Sequence, residues 1–282
     1  MPSIRNEYIF KGELKTDKYT YNISIQTSSK TNIIYSRYFS IGSYVLETGE
    51  KKTCVDIYVM YPEFKKEIPT ANYKIANLIT THYNEKCSVD EKLERGTASG
   101  EVNHILNTAM YFVSKICPFI EGFDLNDAST RQCDNDTNIV LSYFSITQYQ
   151  KTWYEKHFNA YIPDRVKRSK YETIVTELML RKLPEWDTFD AIFLRNVETN
   201  VKLALKSIAQ KSTTYKELFR NIHAEGISRA CVLLQPWIEK LMLPTTIRNY
   251  VLFTQWVIPI ESVKRIPLVN YKKDFVGRLE NY

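Results

Sequence analysis

The stretch Gly100-Glu101-Val102-Asn103-His104-Ile105-Leu106-Asn107-Thr108-Ala109-Met110-Tyr111-Phe112-Val113-Ser114-Lys115, followed by Pro118 and then Phe119-Ile120-Glu121-Gly122-Phe123-Asp124-Leu125, decides the fold. Val102, Ile105, Leu106, Ala109, Met110 and Val113 recur at the spacing that lines up one face of a helix. Ser99 stands where a cap belongs, and Pro118 ends the pattern because it has no N–H to extend the ladder. The apolar run 119–125 suits a buried strand. Residues 75–83 read as a weaker strand before the helix, and Asn126-Asp127-Ala128-Ser129 supplies turn chemistry after it. Ile139, Tyr143, Ile146, Trp153, Tyr154 and Phe158 then mark a second helix over 139–158. The order is strand, helix, strand, helix.

Upstream, Tyr19-Thr20-Tyr21-Asn22-Ile23-Ser24-Ile25-Gln26 alternates apolar and polar, and 33–45 and 53–61 continue in β-branched and aromatic residues. Gly49-Glu50-Lys51-Lys52 predicts a hairpin turn between those two strands. Downstream of Pro163 the pattern turns helical. Tyr171, Ile174, Val175, Leu178 and Met179 form one stripe, and Leu194, Val197, Val201, Leu205 and Ile208 another. Thr214 to Glu217 fits a capping box, 227–242 reads as helix interrupted by Pro236, and 250–260 as a late strand. The expected class is α+β: a mixed sheet with flanking helices over 1–162, then a mostly helical region over 163–282.

Composition bounds the function. With 44% hydrophobic and 25% charged residues, 20 Tyr and 13 Phe, the 282-residue chain can bury a sizeable core. No run approaches the roughly 18 apolar residues of a membrane span, and the N-terminus lacks a signal-like apolar stretch. The sequons at Asn22 and Asn135 therefore carry little weight. Cys54, Cys87, Cys117, Cys133 and Cys231 are odd in number, widely spaced and without a C-x-x-C pair, which predicts unpaired thiols in a reducing, intracellular compartment. His82, His104, His157 and His223 do not recur at metal-ligand spacing, and Asp124, Asp127, Asp134 and Asp136 lack a calcium-loop register, so no metal is expected. The net charge is +6, concentrated after Ile162, where 20 basic residues stand against 13 acidic ones. Those charges are interleaved, with one dense run at 165–170, which disfavours a nucleic-acid partner.

Chemistry is carried by Arg95-Gly96-Thr97-Ala98-Ser99-Gly100, which leads directly into the first helix. Small residues let successive N–H groups converge, and the helix N-terminus and Arg95 add positive charge. Such a turn can hold a pyrophosphate without a metal. A plain helix cap explains the same residues.

In order and spacing this segment resembles the GNAT family of N-acetyltransferases. The loop resembles the family's Arg/Gln-x-x-Gly-x-Gly/Ala motif, and Trp153-Tyr154-Glu155-Lys156-His157-Phe158-Asn159-Ala160 resembles its aliphatic-Tyr-Glu-Lys-x-Gly-Phe signature, with His157 where the family has Gly. The resemblance covers about residues 40–160. It implies a GNAT-like mixed sheet in which Arg95, Gly96, Thr97, Ala98, Ser99 and Gly100 bind acetyl-CoA between two diverging strands. Tyr154 would then protonate the departing thiolate, a phenol being close in pKa to an alkyl thiol. Glu85 and Asp90 are the candidates for a base, and the acceptor would be an amine of unknown size. The alternative implied is a degenerate scaffold, no longer catalytic, that uses its helical half to contact other proteins. The string around Trp153 is also similar to uncharacterised proteins of large DNA viruses of protists. That likeness implies viral or host protein partners and a place in a virion or the infected-cell cytoplasm.

Overall fold

The computed structural model describes residues 6–30, 33–45, 48–49, 51–63, 72–80, 87, 98–126 and 129–269. Five strands come first: β1 (Asn6–Thr16), β2 (Thr20–Lys30), β3 (Ile33–Val45), β4 (Lys51–Met60) and β5 (Ile75–Thr80). Helix α1 (Ala98–Ile116) and strand β6 (Gly122–Leu125) follow, then β7 (Thr130–Gln132) and β8 (Asn138–Val140). The helices α2 (Leu141–Tyr149), α3 (Trp153–Phe158), α4 (Arg165–Leu180), α5 (Trp186–Phe193) and α6 (Thr199–Ala209) come next. After them come α7 (Tyr215–Ala224), α8 (Ile227–Leu234), α9 (Ile238–Met242) and α10 (Ile247–Leu252). Strands β9 (Trp256–Pro259) and β10 (Leu268–Val269) end the described chain. This is a mixed α+β protein with most of its helices in the C-terminal half. By contacts it divides into Met1–Leu125 with Val257–Tyr282, and Asn126–Trp256. The first break falls after Leu125, whereas the composition of the sequence changes near Ile162-Pro163.

The first unit is built on an eight-stranded sheet in the order β10-β1-β2-β3-β4-β5-β6-β9. β1 to β5 form an antiparallel meander, and β6 then pairs parallel to β5, with Ile75 opposite Gly122, Ala76 opposite Phe123 and Asn77 opposite Asp124. A parallel pair needs a crossover, and α1 provides it. Alternation decides which face is buried. Tyr21, Ile23 and Ile25 of β2, Phe39 and Ile41 of β3, and Val55, Ile57 and Val59 of β4 are all buried. The α1 stripe expected from the sequence is buried except for Val102, and Phe112 meets Phe39 edge-on at 6.2 Å between ring centroids. Two glycines are obligatory. Gly42 has φ +73°, and a Cβ there would sit 3.0 Å from the Cys87 carbonyl oxygen. A Cβ on Gly122 would lie 2.8 Å from the Ile258 carbonyl oxygen, so only glycine lets β9 approach β6.

In the second unit, β7 and β8 form a hairpin whose turn holds Asp136 at φ 59°. The helical part is centred on Trp237, which is fully buried. The rings of Phe189, Phe193 and Phe219 lie 5.1, 5.9 and 6.0 Å from it, and its Nε1 donates to the Leu233 carbonyl at 2.7 Å. Pro236 separates α8 from α9, as its missing N–H requires. The single helix expected over 139–158 is two helices. Gln150 turns left-handed at φ 59°, and Thr152 starts a new helix. The expected strand over 250–260 is confined to β9, because α10 takes the residues up to Leu252.

The cysteine pattern is corrected. Cys54 pairs with Cys87 and Cys133 with Cys231, at Cα separations of 6.0 and 5.5 Å, and Cys117 is left free and buried. The partners are 33 and 98 residues apart in sequence. No local spacing announces them, because the fold alone brings them together. The premise for a reducing compartment, unpaired thiols, does not hold. Unfolding without reductant should expose one thiol to an alkylating reagent out of the five cysteines, and all five after reduction, read by mass. Chain-entropy reasoning puts the two crosslinks at roughly 4 and 5 kcal/mol, so urea midpoints should drop sharply when dithiothreitol is added.

Candidate functional site

Three polar constellations stand out, and each is assembled by the elements around it. The first lies at the start of α1. Ala98, Ser99 and Gly100 form its opening turn, so the helix begins before Ser99 rather than after it. Arg95, Gly96 and Thr97, with the candidate bases Glu85 and Asp90, lie outside the described residues. One turn further on, His104 Nδ1 is 2.9 Å from the Tyr21 hydroxyl and 3.4 Å from Thr108 Oγ1, with the Tyr19 ring edge-on at 4.9 Å. Its Nε2 is buried without a hydrogen-bond partner among the described residues. Burial lowers the His104 pKa, against a smaller opposing pull from Asp17. The β5–β6 pairing stops at Asn77 and Asp124, while β5 runs on to Thr80.

The second constellation is the Lys151–Ala160 string in the second unit. The Thr152 hydroxyl accepts from the Glu155 N–H at 3.2 Å, and Glu155 Oε2 accepts from the Thr152 N–H at 2.7 Å. That is a reciprocal capping box. The Tyr171 hydroxyl donates to the same Glu155 oxygen at 2.8 Å. Burial pushes the Glu155 carboxyl up, and these hydrogen bonds pull it back. Tyr154 is only 3% exposed, its ring 5.1 Å from Trp153 and 6.2 Å from Phe158. Asn159 closes the helix in the left-handed region at φ 49°, with its N–H on the Tyr154 carbonyl. Tyr154 belongs to the second unit and Ala98, Ser99 and Gly100 to the first.

The third is His223 on α7. Thr147 Oγ1 donates to the Phe144 carbonyl at 2.7 Å, so it must accept from His223 Nε2–H at 2.9 Å. The imidazole is therefore the neutral Nε2–H tautomer. Its Nδ1 is buried without a partner among the described residues, and burial pushes the pKa down to about 4. Neither the sequence spacing nor the composition singled out His223 or Thr147, which are 76 positions apart.

Two further features have little chemical reach. The Tyr61 hydroxyl lies 3.3 Å from Cys117 Sγ beneath the Arg37 guanidinium, which sits 5.4 Å from the Tyr61 ring. Burial holds the Cys117 thiol up at about 11 and raises the Tyr61 phenol too, so neither is a nucleophile at neutral pH. A shallow depression of about 580 Å³ beside the α8 N-terminus is lined by Asp134, Glu225, Arg229 and Val232, among others. Among the described residues no cluster of three His, Cys, Asp or Glu could hold a metal, and no helix is long and apolar enough to cross a membrane. Comparison with protein-family models, with curated proteins and with solved structures finds no match to this chain.

Two outcomes are expected from this geometry. Tyr154→Ala should lower unfolding free energy by about 3 to 5 kcal/mol, as for other large buried aromatics, measured by urea denaturation. For His223, the unfolded pKa of about 6.5 lies above the folded one, so its contribution is complete above that value and is lost as pH falls toward 4. After allowance for solvent screening this amounts to about 2 kcal/mol. Thermal unfolding from pH 7 to 4 should flatten in His223→Gln relative to the parent.

Proposed function

We propose that the protein is a non-catalytic assembly or docking protein on a scaffold that resembles an acyltransferase, with other proteins, viral or host, as its partners. The observation that carries this reading is the condition of Tyr154. Proton delivery to a leaving thiolate needs a phenol that the thiolate can reach. Here the ring is closed in by Trp153 and Phe158, and its neighbour Glu155 is engaged by Thr152 and Tyr171. Glu155 and the Tyr154 ring both have structural tasks in the string. Two disulfides also favour a setting that keeps thiols oxidised, of which a virion surface is one.

A second reading, acetyl transfer from acetyl-CoA to an amine, is favoured by one observation. β5, α1 and β6 form a parallel crossover with a helix N-terminus at Ala98, and the paired strands part after three residue pairs. In that reading the turn leading into α1 would take the pyrophosphate, and the fork between the strands the thioester arm.

Titration with CoA and acetyl-CoA separates the two. Under the assembly reading, millimolar ligand leaves the melting temperature unchanged. A micromolar site would add about 4 kcal/mol at that concentration and raise the melting point by several degrees. A rise that disappears in Gly100→Val would overturn the assembly reading in favour of the transferase.

A further inference from the structure

Two N-x-S/T strings, Asn22-Ile23-Ser24 and Asn135-Asp136-Thr137, stand in a chain that forms two disulfides. Disulfides form and persist where thiols are oxidised, which includes the compartment in which such strings are glycosylated. The crosslinks give the two strings a weight that the sequence alone did not. Neither carries proline at its middle position, which would forbid modification.

The fold separates the two strings. Asn135 sits at the tip of the β7–β8 hairpin. The Asp136 N–H donates to the Cys133 carbonyl at 3.0 Å and the Cys133 N–H to the Thr137 carbonyl at 2.7 Å, so Asp134, Asn135 and Asp136 form the loop. Asp136 closes it in the left-handed region at φ 59°. All of these loop residues are exposed. Thr137 Oγ1 donates to Asn135 Oδ1 at 2.7 Å, which sets the two side chains that define an acceptor next to each other. Asn135 Nδ2, the atom that would carry a sugar, makes no hydrogen bond among the described residues. Asn22 lies instead inside β2. It is opposite Glu13 of β1, and its neighbours Tyr21 and Ile23 are each 3% exposed. Ile23 is also opposite Ile41 of β3, so this string is held extended with a partner strand on each side.

We propose that Asn135 is an acceptor for an N-linked glycan, added by a transferase from a lipid-linked oligosaccharide diphosphate. Asn135 Nδ2 forms a bond to the anomeric carbon of the first sugar, and the bond from that carbon to the diphosphate oxygen breaks. The lipid diphosphate leaves, and Nδ2 gives up one proton to a base of the transferase. No oxidation or reduction takes place. A glycan is bulky and solvated, and the exposed loop gives it room. The base of the hairpin is fixed by the Cys133–Cys231 crosslink, so the glycan projects from a tethered point. The proposal is independent of both functional readings, since neither uses this hairpin.

Peptide mapping by mass spectrometry tests it on full-length protein recovered from its native source. The peptide that contains Asn135 should carry hexose and N-acetylhexosamine. Peptide N-glycosidase in heavy-oxygen water should leave labelled aspartate at that position. The peptide that contains Asn22 should be unmodified. Asn135→Gln should remove the glycan and increase mobility on a denaturing gel. Thr137→Ala should remove it too, while Thr137→Ser should keep it, because a hydroxyl remains where the transferase reads one. Melting curves that match the enzymatically deglycosylated parent would establish that the variants fold. A bare Asn135 in protein with both disulfides formed overturns the proposal and places the crosslinks outside the glycosylating compartment. So does a glycan on Asn22 with Asn135 bare, or a glycan on Asn135 that survives Thr137→Ala.

Discussion

The first unit depends on the burial of α1 against alternate residues of an antiparallel meander. Phe39, Ile41, Val55, Ile57 and Val59 present a continuous apolar face, and Ile105, Leu106, Ala109, Met110, Phe112 and Val113 cover it. Burying that helix costs the chain a reversal. A helix laid across a sheet delivers the chain back to the end where β5 began, so the next strand must run parallel to β5. The change of direction at β6 therefore follows from packing. It also explains why Gly122 cannot bear a side chain: β6 is short, and β9 must close on it within 2.8 Å of where a Cβ would lie.

The second unit solves the same problem with less regular material. Several of its helices are short, and α3, α9 and α10 have only five or six residues each. Such helices are unstable alone and are held by what they bury. Trp237, ringed by Phe189, Phe193 and Phe219, supplies one anchor. The Cys133–Cys231 bond supplies another by tying the β7–β8 hairpin to α8. Local caps do the rest: Thr152 for α3, Asp164 for α4 and Thr214 for α7.

Much of this was legible in advance where one periodicity ruled. The strand over 33–45 and the helix over about 100–115 were readable to within two residues, because each buries one clean face. β1 was not, because Tyr8, Ile9 and Phe10 are consecutive and apolar and so hide the alternation. The break between α2 and α3 was present as Thr152-Trp153-Tyr154-Glu155, an S/T-x-x-E string, but the aromatic run on either side looked like one helical stripe. α10 was hidden by β-branched and aromatic composition, which favours strands until tertiary packing overrides it. The disulfides and the Thr147–His223 contact could not be read at all. Each joins residues whose proximity is a product of the fold, and no local pattern encodes it.

The candidate site was legible as a string but not as an environment. Trp153-Tyr154-Glu155-Lys156 can be read as catalytic or as architectural from the same letters, and what the letters leave out is burial and hydrogen bonding. A carboxylate that accepts its own N-cap N–H and a tyrosine hydroxyl is committed to holding α3 against α4. The Tyr154 ring, 3% exposed, packs beside Trp153 and Phe158. A helix of six residues needs such ties to persist, and Thr152, Glu155 and Tyr171 supply them in the second unit.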